Sequence, residues 1–201
     1  MARRDASTRI ATLILILLSS ASCAQVPSPA LEKGNWDFSA WVAGASGEET
    51  TNSLTQSQIF AAGVFCGKVI SGEISRGWLR NSMEYGFDLI PVFVTSNNQN
   101  VHGVAFDPVI FRWNSSFHTA HLAPYIEGAG GGLVTSANLP PGNTSTFNVT
   151  ARGGGGVYVS VRNRRSLDVG VQWLHASNAN LGPFNPQFNG VQIRLGYHWY
   201  K

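Results

Sequence analysis

Charge is scarce in this chain. Asp, Glu, Lys and Arg make up 12% of its 201 residues, against an apolar share of 43%. Low charge with that much apolar surface excludes a disordered chain. Cysteine is scarcer still, and two residues cannot build a disulfide-rich scaffold. The 22 glycines follow no three-residue period, which excludes collagen. Beyond the first twenty residues no run is long and apolar enough for a membrane helix. Helical periodicity is poor throughout, with at most a short turn between Ile70 and Ser82. The chain is 11% aromatic and must place its apolar residues some other way.

The first residues stand apart. Arg3, Arg4 and Arg9 are followed by an apolar run from Ile10 to Leu18 and a small, polar stretch ending at Ala24. That layout reads as a secretory signal peptide over 1–24, too short for a membrane anchor. A lipoprotein reading would place the lipid on Cys23, but Ser20 stands where such sites want an apolar residue. Removal of 24 residues leaves 201 − 24 = 177 and takes away three Arg and Asp5, so net charge falls from +3 to +1. No basic patch with interleaved aromatics remains, which argues against a nucleic-acid partner. Cys66 is then alone and has no disulfide partner. Residues 25–35 read as an N-terminal periplasmic segment and 36–201 as one domain.

The rest of the chain alternates. Val191, Ile193, Leu195, Tyr197 and Trp199 interleave with Gln192, Arg194, Gly196 and His198. Leu167, Val169, Val171 and Trp173 repeat the pattern, as do Phe147, Val149, Ala151, Val157, Val159 and Val161. Period two marks strands with one dry and one wet face. Weaker strands are expected near 36–45, 57–68, 84–95, 103–113 and 119–134, separated by Asn, Ser, Gly and Pro clusters. The total is eight.

Eight alternating strands can close a soluble barrel, form a sandwich or span a membrane. Export, aromatics near strand ends (Tyr197, Trp199, Tyr200) and a highly charged polar face favour the outer-membrane barrel. In that arrangement Glu127, Arg152, Arg162, Asp168 and Arg194 face the lumen and the apolar side meets lipid. Arg194, His198 and Glu127 are expected to form an internal polar network, and eight strands leave little room for a pore. A soluble exported barrel holding an apolar ligand is the competing fold. With an even strand count both termini lie in the periplasm. Arg162–Asn163–Arg164–Arg165 is then a periplasmic turn and Ser177 to Asn189 an outer loop.

Parity picks out one cluster. His175 and Ser177 share the odd face of Val169, Val171 and Trp173, and Asn189 shares that of Val191 and Ile193. All three polar groups point outward at the rim of two adjacent antiparallel strands, about 5–8 Å apart. A nucleophile, a base and an orienting amide are the parts of a hydrolase. Polar groups on a lipid-facing surface are costly, which raises the weight of a functional reading. The plainer alternative is a set of solvated strand ends at headgroup level.

The runs His175–Ala176–Ser177–Asn178–Ala179, Leu181–Gly182, Asn185–Pro186 and Leu195–Gly196–Tyr197–His198–Trp199 resemble the lipid A 3-O-deacylase family. These outer-membrane enzymes are also called acyloxyacyl hydrolases. The likeness is specific over about 165–200 and extends upstream as a general strand layout. It implies an eight-stranded barrel in the bacterial outer membrane that cleaves the 3-linked acyl ester of lipid A in the lipopolysaccharide of the outer leaflet. It implies no metal or other cofactor. By the same resemblance His175 is the base, Ser177 the nucleophile and Asn178 the residue that holds the oxyanion with nearby backbone amides. The family's third member is an acid twelve residues beyond the serine, and here that position is Asn189. An Asn can accept a hydrogen bond from His175 and fix its tautomer, but it brings no full charge to an imidazolium. Two readings follow: a working esterase, or a non-catalytic barrel that is structural or binds lipopolysaccharide.

Other signals carry less. The glycine runs 128–132 and 153–156 lack the Gly-Lys-Ser/Thr ending of a phosphate loop and open no helix. They read instead as bends, or as places where a side chain would not fit. His118 and His121 fall on opposite faces of a strand, which is poor geometry for one metal. Asn114–Ser115–Ser116, Asn143–Thr144–Ser145 and Asn148–Val149–Thr150 fit a glycosylation pattern that means nothing in a bacterial outer membrane.

Overall fold

The computed structural model describes residues 31–47, 57–72, 74, 81–97, 99–115, 122–139 and 144–201. The expected leader (1–24), Cys23, His118 and His121 lie outside these residues. Eight strands follow one another: β1 (Trp36–Gly47), β2 (Gln58–Val69), β3 (Asn81–Asn97), β4 (Gln99–Ser115), β5 (Leu122–Leu139), β6 (Ser145–Arg162), β7 (Arg165–Ser177) and β8 (Phe188–Tyr200). Each pairs antiparallel with its neighbours in sequence, and β8 returns to β1 to close the barrel. Reciprocal backbone bonds between Trp36 and Lys201, 2.7 and 2.9 Å, fasten the two ends. No helix occurs among the described residues. Strand β3 already includes Asn81 and Ser82, and most of the segment where a short turn was expected lies outside the described residues.

The alternation read in the sequence sets the two faces. On β7 and β8 burial switches at nearly every residue. Val169, Val171, Trp173, Ile193 and Leu195 stand exposed on the outer wall. An apolar girdle on the outside of a closed barrel is what a bilayer requires, because closure leaves no unpaired strand edge in the hydrocarbon.

The lumen is filled. Asp37, Glu84, Asp88, Asp107, Glu127 and Asp168 are buried there with Arg112, Arg152, Arg194 and His198. Arg194 donates to Glu127 (3.3 Å) and Asp168 (3.1 Å), and His198 Nδ1 meets Asp37 at 2.8 Å. Arg112 is bound by Glu127 and lies over the Phe65 ring. Arg152 bridges Asp88 and Asp107, and Trp41 Nε1 donates to Asp88 at 2.9 Å. One residue expected inside is not: Arg162 ends β6, where the register slips after Ser160, and is exposed.

Toward the end of the barrel opposite the termini the lumen turns apolar. Ala43, Ile59, Leu133, Leu174, Ala176 and Phe188 belong to one buried cluster. Large interior rings need glycine beside them. A Cβ on Gly63 would lie 2.6 Å from the Trp41 ring, and one on Gly156 would lie 2.6 Å from the Tyr125 hydroxyl. Within the glycine runs, a Cβ on Gly131 or Gly154 would meet a backbone carbonyl at 2.2 Å. These two positions exclude any side chain.

The wall has uneven height. β3 to β6 are 17 or 18 residues long, whereas β7 and β8 have 13 each. Ser177, the last residue of β7, pairs with Val149, while β6 continues to Ser145. At about 3.3 Å per residue, β6 rises about 13 Å above the end of β7.

Candidate active site

The β7–β8 ladder runs without a bulge from Arg165↔Trp199 to Ala176↔Phe188. Parity on one strand therefore carries to the other, and His175 sits directly opposite Asn189. Ser177 lies two residues from His175 on the same face. His175 Nδ1 is 2.9 Å from Asn189 Oδ1, and His175 Nε2 is 3.1 Å from Ser177 Oγ. With the amide oxygen as acceptor, the imidazole proton sits on Nδ1, and Nε2 is free to accept the serine hydroxyl proton. The Trp173 ring stacks on His175, centroids 5.4 Å apart and planes 20° from parallel. The imidazole is thus held at its edge by Asn189 and on its face by Trp173.

Ser177 is only 8% exposed despite its outward parity, and a tightly held loop follows it. Asn178 O accepts from Leu181 N at 2.9 Å, with Ala179 (φ 51°) and Asn180 (φ 63°) between them in the left-handed region. Two such residues define a tight turn that Asn180 tolerates and that strains the Cβ of Ala179. The Asn178 side chain holds the turn. Its Nδ2 donates to Phe184 O (2.7 Å), its Oδ1 accepts from Asn180 N (3.0 Å), and its backbone N–H donates to Asn185 Oδ1 (3.0 Å). A Cβ on Gly182 would lie 3.1 Å from Thr144 O, so the loop packs against the approach to β6.

His175, Ser177 and Asn189 are therefore brought together as their parity implies, and Asn178 follows at once in the chain. Asn178 is buried and works inside the loop, one of its two Nδ2 protons already being donated. The sequence reading assigned no role to Trp173 or Asn185. Trp173 was visible as the residue two before His175 on the same face. Asn185 could be flagged only by its Asn-Pro setting, because a loop contact seven residues away has no period. Among the described residues no group of three or more His, Cys, Asp or Glu could hold a metal ion.

The fold and this wall-mounted Ser–His–Asn cluster define an outer-membrane-type β-barrel with the layout of a serine hydrolase site. The family model for lipid A 3-O-deacylase (PagL) matches residues 70–198, and the chain belongs to that family. The crystal structure of the outer membrane enzyme PagL is similar at a TM-score of 0.59 and 17% identity, covering 80% of this chain and 97% of that one. That of Neisserial surface protein A aligns at a TM-score of 0.49 and 14% identity, covering 82% and 95%. Among curated sequences none matches the chain.

Proposed function

We propose that this protein is an outer-membrane esterase that removes the 3-linked acyl chain of lipid A. The observation that carries the reading is His175 set between Ser177 Oγ and Asn189 Oδ1 on the outer wall. Family membership supports lipid A as the substrate class. In the reading, residues 1–24 direct export, 25–35 remain in the periplasm, and the Ser177 rim faces outward at the level of the outer-leaflet headgroups.

The chemistry follows from the donors and acceptors. Ser177 Oγ attacks the ester carbonyl as its proton passes to His175 Nε2. The carbonyl oxygen becomes an oxyanion, for which the second Nδ2 proton of Asn178 is the assigned donor. The C–O bond to the sugar breaks, and the sugar oxygen takes the proton from His175 Nε2. Water, deprotonated by His175, then cleaves the acyl-Ser177 ester and releases the fatty acid and free serine. Asn189 keeps the Nδ1 tautomer throughout, and Trp173 keeps the ring in plane. No cofactor enters these steps.

Mass spectrometry of lipid A from cells expressing the chain tests the reading. Loss of one ester-linked chain is expected with wild type and not with Ser177→Ala. Identical, fully acylated lipid A from both would refute it. The uncharged Asn189 favours a second reading, a barrel of the same fold that binds lipopolysaccharide without cleaving it.

A further inference from the structure

Every exposed Lys or Arg among the described residues stands at one rim, the one opposite Ser177. Arg162, Arg164 and Arg165 form the β6–β7 turn, Lys201 follows β8, Lys33 precedes β1 and Lys68 is near the end of β2. Among the described residues the one exposed carboxylate is Glu32. The other described acids lie in the lumen, and their ion pairs go to Arg112, Arg152, Arg194 and His198. No rim cation is ion-paired with a described carboxylate.

Parity turns three of these charges toward the bilayer. Arg165 continues the outward series of Leu167, Val169 and Val171, Lys201 continues that of Tyr197 and Trp199, and Lys68 continues that of Phe60 and Val64. Aromatic rings lie between them. Arg165 is opposite Trp199 in register, Trp199 is opposite Phe38, and Trp36 is opposite Lys68. Trp36 stacks on Phe38 and Phe38 on Trp199, centroids 6.2 Å apart in both and planes 18° and 17° from parallel. Lys68 Nζ lies 5.0 Å from the centre of the Trp36 ring. An aromatic slab with a cation at each end thus runs over β7, β8, β1 and β2, about 14 Å around the wall at three strand spacings.

Such rings settle at headgroup depth in a bilayer. Charges just beyond them meet phosphates. The Arg fork matches a phosphate with two parallel bonds, and Lys supplies a point charge. An anionic leaflet attracts each Lys or Arg held near its surface. An acidic protein would approach from the water, whereas the outward parity of Arg165 and Lys68 favours the leaflet.

We propose that the rim carrying the termini is a docking surface for anionic phospholipid, its phosphates held by Arg165 and Lys68 and its glycerol region lying on the Trp36–Phe38–Trp199 slab. The assignment goes beyond the ester chemistry, in which this rim takes no part.

The test uses the full chain refolded in dodecylmaltoside micelles, with phosphatidylglycerol or phosphatidylcholine titrated in. Both lipids carry a phosphodiester and they differ in net charge. Bound lipid is counted by native mass spectrometry for wild type, Arg165→Gln/Lys68→Gln and the charge-keeping Arg165→Lys/Lys68→Arg, with folding checked by circular dichroism. Wild type is expected to hold phosphatidylglycerol the more tightly. The Gln pair is expected to lose about twenty-fivefold of that preference, about fivefold for each charge, and the charge-keeping pair to retain most of it. If the Gln pair does not fold, Lys68→Gln alone is expected to lose about fivefold. Equal retention of the two lipids by wild type, or an undiminished preference in a folded Gln variant, overturns the proposal. So does displacement of the lipid by an equal concentration of glycerol phosphate, which would make the rim a site for free phosphate. A glutamate-rich peptide bound more tightly than either lipid would assign the rim to an acidic protein and also overturns it. Hydrolysis at Ser177 is read separately in the same samples, and neither its presence nor its absence alters these outcomes.

Discussion

Replacement of Asn189 by Asp isolates the one departure from an acid-containing triad. The two side chains have the same shape, so the carboxylate oxygen keeps the 2.9 Å contact to His175 Nδ1. Only charge changes. With charge centres about 4 Å apart and an effective dielectric of about 20, the attraction to an imidazolium is about 4 kcal/mol. His175 and Asn189 are both partly exposed, and water at the rim reduces this to about half. About 2 kcal/mol realised only in the transition state is about a thirtyfold gain in kcat. The assay is single-turnover release of fatty acid from lipid A in mixed micelles, with wild type, Asn189→Asp and Asn189→Leu. The Leu variant removes the acceptor and is expected to lose at least tenfold, as the imidazole loses its fixed tautomer. A folded Asn189→Asp that is no faster, or an Asn189→Leu as active as wild type, refutes the role given to this side chain. Activity that first arises with Asp would show that the natural protein is the non-catalytic form.

Three further outcomes test the architecture. Ala179→Gly relieves a left-handed backbone and is expected to stabilise the barrel by about 0.5–1 kcal/mol in urea titrations, a steric gain partly offset by chain entropy. Gly154→Ala forces a Cβ against the Val171 carbonyl and the Gln172 backbone, so refolding yield into detergent is expected to fall sharply; an unchanged yield would contradict the glycine assignment. Arg152→Ala removes the cation shared by Asp88 and Asp107, leaves these buried carboxylates only neutral donors, and is expected to cost about 3–5 kcal/mol, read from the unfolding midpoint.

The fold was legible because a barrel wall is a period-two object. Every second residue of β7 and β8 has outward parity, no bulge interrupts their register, and parity alone placed His175, Ser177 and Asn189 together. Elsewhere parity breaks. Bulges interrupt β3–β4 between Ile90 and Phe93 and β4–β5 between Phe106 and Val109, and there the alternation blurred. The apolar end of the lumen was invisible, since Leu174 and Ala176 share the inward face of Asp168 and Gln172 and parity does not report depth. Arg162 departs for a related reason: its parity is inward, but the register slips after Ser160 and Arg162 ends the strand beyond the buried interior. The Asn178 clasp lies in a loop, where partners are set by tertiary closure and not by any repeat.

The packed lumen has a consequence for traffic. A barrel threaded by ion pairs and stoppered by Phe188 and Leu174 offers no passage through its axis. In the esterase reading, lipid then reaches Ser177 along the outer wall from the leaflet and not through the lumen. In an intact bilayer, turnover would then be governed by how fast lipids exchange around the wall. The protein could work without opening the permeability barrier in which it stands.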